Sequence, residues 1–257
     1  MSIKPCAFCG STDNQMSREH VWPSWIRDLL PPEDLKVEHT YRFETSDEGV
    51  TNEFQAGVFT ATVKDVCVVC NNGWMSEIED RAQRLISGVF QGRGRELYPS
   101  GQTTLARWGL LKGLVAQRAF RGRESGIPGF ESHYRELYEL GPDELPADLS
   151  IYTAKTGYSK GKGVSGFFRM NAVNLPSAGE PDQVNGYVLA FSVMDLAIIA
   201  FRSMIGERVE FQTFNRGPDL DRSLTRIWPT TKTFIWPATP SITYRGLRAI
   251  AGGDELG

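Results

Sequence analysis

The sequence predicts an α+β fold in two parts. A small cysteine-stapled unit covers residues 1–95, and a second α+β unit with a mostly antiparallel sheet covers 96–257. Three observations lead there. The four cysteines of the 257-residue chain fall as two CxxC pairs, Cys6 with Cys9 and Cys67 with Cys70. A glycine-rich stretch, QGRGRELYPSG (91–101), marks a seam. Beyond it a helix-like run is followed by several short apolar runs with turn residues between them.

Two CxxC pairs supply four thiolates, the tetrahedral set that a structural zinc takes. Gly10, directly after CAFC, allows the positive φ that a tight metal knuckle needs. The alternatives are redox-active CxxC motifs or unrelated buried thiols. The interval between the pairs exceeds the usual ribbon spacing, so a segment is inserted between them.

Along the chain, SREHVWPSWIRDLLPP (17–32) carries a short motif and then a helix stopped by Pro31 and Pro32. Residues 36–67 read as two strands. Val37, Thr40, Tyr41 and Phe43 lie on the first, and Phe54, Val58, Phe59 and Val63 on or near the second, with a turn at SDEG. A helix follows from Asn72, its N-cap, to about Phe90, with acids early in it. The second unit opens with a helix, TTLARWGLLKGLVAQRAFRGR, and a further helix, SHYRELYEL. Strands follow at LSIYTAK, GFFRMNAV, GYVLAFSV, LAIIAFRS and ERVEFQTF. The stretch from Arg226 holds two Ile-Trp-Pro units and reads as extended and aromatic-anchored, and the closing GGDELG reads as frayed.

The formal net charge is −3, so any binding to nucleic acid must use a local patch. The N-terminal MSIKPCAFCG has no apolar run of the kind a secretory signal needs. The most apolar stretch, 186–204, is interrupted by Asp195 and reads as two strands joined at a turn, with no membrane span. The expectation is a cytoplasmic protein.

The chemistry concentrates between the cysteine pairs, in SREHVWP, and directly behind the second pair, in CVVCNNGWM. An extended segment puts Glu19 and His20 on opposite faces, and Pro23 ends the pairing. A Cys pair, an acid-His-Val-x-Pro segment and a second Cys pair running into a helix resemble the His-Asn-His (HNH) nuclease superfamily, over roughly residues 3–90. The resemblance implies a ββα-metal finger with the acid-His segment on its first strand. It implies that His20 is the general base, that Glu19 and Asn71 hold a divalent ion (Mg²⁺ or Mn²⁺), and that Cys6, Cys9, Cys67 and Cys70 hold a separate structural Zn²⁺. It further implies an endonuclease acting on DNA. The chemistry agrees, because phosphodiester hydrolysis at neutral pH needs an activated water and stabilisation of developing negative charge. Thr62 stands where the family has its middle Asn, nine residues before Asn71, and its hydroxyl offers fewer hydrogen bonds than an amide.

Other readings stand beside these. His20 could be a structural histidine packed beside the zinc. Glu77 and Glu79 are solvated helix acids or additions to the site. His39 reads as an exposed strand residue, His133 as a helix-surface residue, and Trp22, Trp25 and Trp74 as core. The first hundred residues hold 15 acids and 10 bases, so the N-terminal unit alone is poorly equipped to hold a polyanion. On the helix after the seam, Arg107, Arg118 and Arg121 share a face, interrupted by Leu114. They form a phosphate-contacting stripe or pair with acids elsewhere. KTGYSKGKGVSG (155–166) lacks P-loop spacing and reads as a basic loop. The functional alternative to an endonuclease is a non-catalytic zinc module that binds nucleic acid or a protein.

Overall fold

Strict alternation of side chains decides the centre of the fold. The computed structural model describes residues 4–30, 32, 39–44, 51–56, 60–90, 93–121, 127, 129–157, 167–173, 184–206, 208, 223–237 and 240–251. In chain order they form β1 (Glu19–His20), α1 (Ser24–Arg27), β2 (His39–Glu44), β3 (Thr51–Ala56) and β4 (Thr62–Val63). Then come α2 (Val68–Cys70), α3 (Ser76–Phe90), β5 (Arg95–Leu97), α4 (Pro99–Arg121), α5 (Ser132–Glu139) and β6 (Leu149–Lys155). The chain continues with β7 (Phe167–Val173), β8 (Gly186–Val193), β9 (Leu196–Ser203), β10 (Thr225–Trp228), β11 (Phe234–Trp236) and α6 (Tyr244–Ile250). Helices and antiparallel sheets together make the class α+β.

Five strands form one antiparallel sheet in the order β10-β6-β9-β8-β7. Along β8, Tyr187, Leu189, Phe191 and Val193 join the large core that contains α4, while Val188 and Ala190 join a second cluster with Leu247 and Ile250 of α6. On β9, Leu196, Ile198 and Ala200 face the first core, and Ala197, Ile199 and Phe201 the second. A sheet covered on both faces needs apolar residues at every position, which explains why these strands read as continuous apolar runs. Met194 and Asp195 make the turn between them, as Asp195 foretold.

Helix α4 is the hub. Every residue from Leu105 to Gln117 is buried. It lies close on the sheet because Gly109 and Gly113 present no side chain there. A Cβ at Gly109 would stand 2.8 Å from Ile198 Cγ2, and one at Gly113 would collide with the Leu189 side chain. Its first turn is pinned by Gln102. That carboxamide donates to the carbonyls of Leu97 and Lys232 (both 3.0 Å) and accepts from the Thr231 amide at 2.8 Å.

The two parts share packing. Buried residues from before and after residue 95 form one cluster, and Trp22 meets Phe191 of β8 with ring centroids 5.1 Å apart. At the seam, β5 pairs with β11, so the second Ile-Trp-Pro unit is tied to the end of the first part. Both Trp-Pro bonds, after Trp228 and Trp236, are cis. Trp22 is buried, and Trp25 and Trp74 are half-buried against the core, as expected of aromatic filling.

Two local expectations change. The helix begins before Asn72. Its N-cap is Cys67, whose sulfur accepts from the Cys70 amide at 3.5 Å. The coil continues through a wide turn over Asn71–Met75, kinked at Gly73, into α3. His133 is also no surface residue. It is buried against Phe130 and Tyr187, and burial, assisted by Arg202, lowers its pKa to about 3. Several readings fall outside the described residues: the turn at 46–49, Val37, Val58, Phe59, most of the 155–166 loop, Arg123, the strand at 207–214 and the end from 252. The side chains of His39 and Arg121 do too.

The close approach of α4 gives the first prediction. Gly113→Val will destabilise the protein by about 1–3 kcal/mol through overpacking against Leu189. Chemical denaturation checks this, and an unchanged midpoint would mean that the helix stands farther from the sheet.

Candidate functional site

The site assembles from a strand pair, a helix start and α4. The first knuckle is a tight turn. The Cys6 amide donates to Ser11 O and the Gly10 amide to Cys6 O, both at 2.9 Å, and Gly10 has φ 71°, the left-handed conformation the turn requires. The second knuckle starts the helix at Cys67. The two are laced together by Ala7 N to Asp65 O (2.8 Å), Ser17 N to Val66 O (2.8 Å) and Val68 N to Gln15 O (2.9 Å).

This lacing brings all four sulfurs within 4.8 Å of one another, with Cys6 to Cys70 at 3.9 Å and Cys9 to Cys67 at 3.7 Å. A tetrahedral zinc with Zn–S bonds of about 2.3 Å has sulfur-to-sulfur edges of about 3.8 Å, so the cluster fits such an ion. The Cys67 amide also points at Cys6 Sγ (3.4 Å). The hydrogen bond shared by Cys6 and Cys70 lowers the Cys6 thiol against the effect of burial and raises the Cys70 thiol, so one proton is shared between the two sulfurs. A thiolate is the form that ligates metal.

Glu19 and His20 sit on β1, opposite Val63 and Thr62 of β4. Thr62 therefore lies directly across the ladder from His20. The Val21 amide extends the pairing to Ala61 O at 2.9 Å. The two neighbours face opposite ways, as an extended segment demands: Glu19 is 4% exposed and His20 is exposed. Among the described residues the His20 ring makes no hydrogen bond. Between β1 and β4 the chain makes the β2–β3 hairpin, which is the insertion the cysteine spacing called for.

The partner of Glu19 was not legible in sequence. Lys112 of α4 is fully buried, and its ammonium donates to Glu19 Oε1 at 2.7 Å and to His20 O at 3.0 Å. It also pairs with Glu79 on the first turn of α3. Burial alone would lower the Lys112 pKa, but Glu19 and Glu79 outweigh it and hold it above its ordinary value. Burial raises the Glu79 carboxyl, with Glu19 adding to the rise and Lys112 opposing it. His20 also lies near enough for its charge to be felt there. Of the two acids in doubt, Glu79 faces this cluster and Glu77 is exposed.

Asn71 follows Cys70 directly and its amide donates to Cys67 O at 3.0 Å. Its side chain is half-buried and, among the described residues, makes no hydrogen bond. Glu19 Oε2 likewise has no hydrogen bond among them. One carboxylate oxygen and one carboxamide oxygen are hard donors of the kind Mg²⁺ takes.

Two arginines of α4, Arg107 and Arg118, are spent inside the fold. Arg107 is 3% exposed and donates to the carbonyls of Leu137 (3.0 Å), Leu140 (3.1 Å) and Glu144. Arg118 pairs with Asp65 and Glu131, both at 2.6 Å, and lies over the Tyr134 ring. Asp65 also pairs with Lys4. These contacts realise the pairing alternative for both residues and leave neither guanidinium as a surface stripe.

No helix among the described residues is long and apolar enough to cross a membrane. Compared with known protein families, curated proteins and solved structures, the chain matches none.

Two measurements test this site. Elemental analysis will find about one zinc per chain, and the four thiols will stay masked to a thiol reagent until a chelator is added. Thiols that titrate freely in the native protein would refute the cluster. Lys112→Met will leave two acids without their ammonium and cost about 3–5 kcal/mol in denaturant titrations near neutral pH. Because the Glu79 pKa is already raised, the folded variant takes up a proton that the unfolded chain still releases. The deficit must therefore shrink as pH falls toward the carboxylate range, and Glu79→Gln added to Lys112→Met will recover part of it.

Proposed function

We propose that the protein is a metal-dependent endonuclease that hydrolyses phosphodiester bonds in DNA, with an active unit of the His-Asn-His type. The observation that carries this reading is the pairing of β1 with β4. It sets an exposed His20 across from Thr62 while its neighbour Glu19 turns inward to Lys112, on a ladder that leads within five residues of β4 into the cysteine-started helix. The order strand, strand, helix around a four-sulfur cluster supports it.

His20 is the general base. Its ring stands at the surface, free to accept a proton from a water attacking phosphorus. Thr62 and the backbone ladder hold the histidine's strand in register. Glu19 Oε2 and the Asn71 carboxamide would hold the divalent ion, Mg²⁺ or Mn²⁺, which supplies charge stabilisation at the phosphate when bound. Lys112 fixes the Glu19 carboxylate through its other oxygen and neutralises part of the charge of the acid pair. The zinc is structural: its four ligands are protein sulfurs, which leaves no position for substrate.

A second reading draws on the same lysine. Because Lys112 engages both Glu19 and Glu79, the acids are already partnered, and the unit could serve as a zinc-stapled binding module without catalysis. Supercoiled plasmid separates the two. With Mg²⁺ or Mn²⁺ the wild type will nick or linearise it, and His20→Ala will lower the rate by about 10²–10⁴-fold while zinc content and melting temperature stay level. Plasmid left intact by the wild type with either ion defeats the nuclease reading and favours the binding module.

A further inference from the structure

Arg107 and Arg118 are engaged within the fold, but guanidinium groups gather at the surface elsewhere. From Arg81 to Arg95 the chain has four arginines and no acid, although the first hundred residues carry an acidic excess. Three of the four, Arg84, Arg93 and Arg95, line one open groove of about 570 Å³ between the second half of α3 and β5, with Gln83, Ser87 and two glycines. All three arginines are exposed, and among the described residues no carboxylate lines the groove. Arg95 is held in place by its own hydrogen bonds to the carbonyls of Arg84 (2.6 Å) and Leu85 (3.2 Å), so its fork is ordered before any ligand arrives. The C-terminal end of a helix is its negative pole. Guanidinium groups gathered there reverse that field locally.

We infer that this groove is a binding track for the phosphodiester backbone of DNA, leading along α3 to the His20 site. The inference builds on the nuclease reading for its direction. Gln83 and Ser87 follow Glu79 at four and eight residues, so they lie on nearly the same helix stripe, about 6 and 12 Å along the axis. A strand passing His20 and Glu79 would meet the groove within a few nucleotides, because phosphates on one strand advance about 3.4 Å along a duplex axis. Arginine suits this task, since its planar fork matches phosphate oxygens bidentately. An open groove with three spread guanidiniums fits a chain of phosphates better than a single enclosed anion. The Gln83 carboxamide adds a neutral donor of the kind that positions a backbone without reading bases, while the Ser87 hydroxyl already donates to Gln83 O at 2.6 Å.

The test uses the full-length protein in the His20→Ala background, so that no cleavage intervenes, and a fluorescein-labelled DNA duplex read by anisotropy across a salt series. Adding Arg84→Ala, Arg93→Ala and Arg95→Ala should weaken binding at least tenfold near 0.1 M salt. It should also flatten the dependence of log K on log salt by about 2–3, since each phosphate contact contributes about 0.9 to that slope. Retained zinc and an unchanged melting temperature establish that the triple variant is folded. An unchanged affinity and slope, or equally tight arginine-dependent binding of polyglutamate, would overturn the inference. The two readings fail separately. A wild type that binds DNA through the three arginines but never cuts plasmid loses the chemistry and keeps the track. Cleavage that persists with an unaltered KM when Arg84, Arg93 and Arg95 are alanine keeps the chemistry and loses the track.

Discussion

A lysine ammonium with no access to water must find its counter-charges inside the fold, and Lys112 finds them on two different elements. Such a pair adds little net stability compared with apolar packing, because desolvation consumes most of the Coulombic gain. Its effect is to exclude alternatives. Glu19 comes from β1, Glu79 from α3 and the ammonium from α4, so any arrangement in which the three elements fail to meet strands a buried charge. A slip of β1 by one residue would turn Glu19 outward and His20 inward. The ion pair therefore specifies the face on which the histidine is presented.

The sulfur cluster does complementary work. Strands of two residues, such as β1 and β4, cannot hold themselves together by pairing alone. The cluster ties the turn before β1 to the turn after β4, and Cys67 caps the helix that follows. Asn71 and Glu79 thus lie on a coil whose origin is held in the four-cysteine cluster. The wide turn at Asn71–Met75 redirects that coil, and its first residue is one of the two proposed oxygen donors. Wide turns of this kind are found disproportionately where a helix must aim a functional group.

What the sequence made legible, and what it hid, follows from the range of the interactions involved. The strands at 149–155, 186–193 and 196–203 are where their apolar runs place them, because a strand covered on both faces announces itself in local composition. The converging sulfurs and the left-handed Gly10 were legible because short spacing constrains their geometry strongly. Lys112 was not, since its partner lies 93 residues away and a helix buried all round has no amphipathic stripe to betray it. The same holds for Arg118 with Asp65, 53 residues apart. His133 sits in a segment of polar composition, and only the packing of α5 beneath Tyr187 and Phe130 buries it. Asn72 gave way as N-cap because the second cysteine knuckle already begins the helix at Cys67.

The excursion between β1 and β4 departs and returns at touching points, Val21 and Ala61. Its outer part, the β2–β3 arm, is a sheet of its own that comes alongside β7 at the border of the five-stranded sheet. Closing a longer or shorter excursion changes the entropy of the chain only logarithmically. Evolution can thus treat that arm as an exchangeable appendage, lengthened, shortened or replaced in descendants, while the cysteine-laced platform beneath keeps the same geometry.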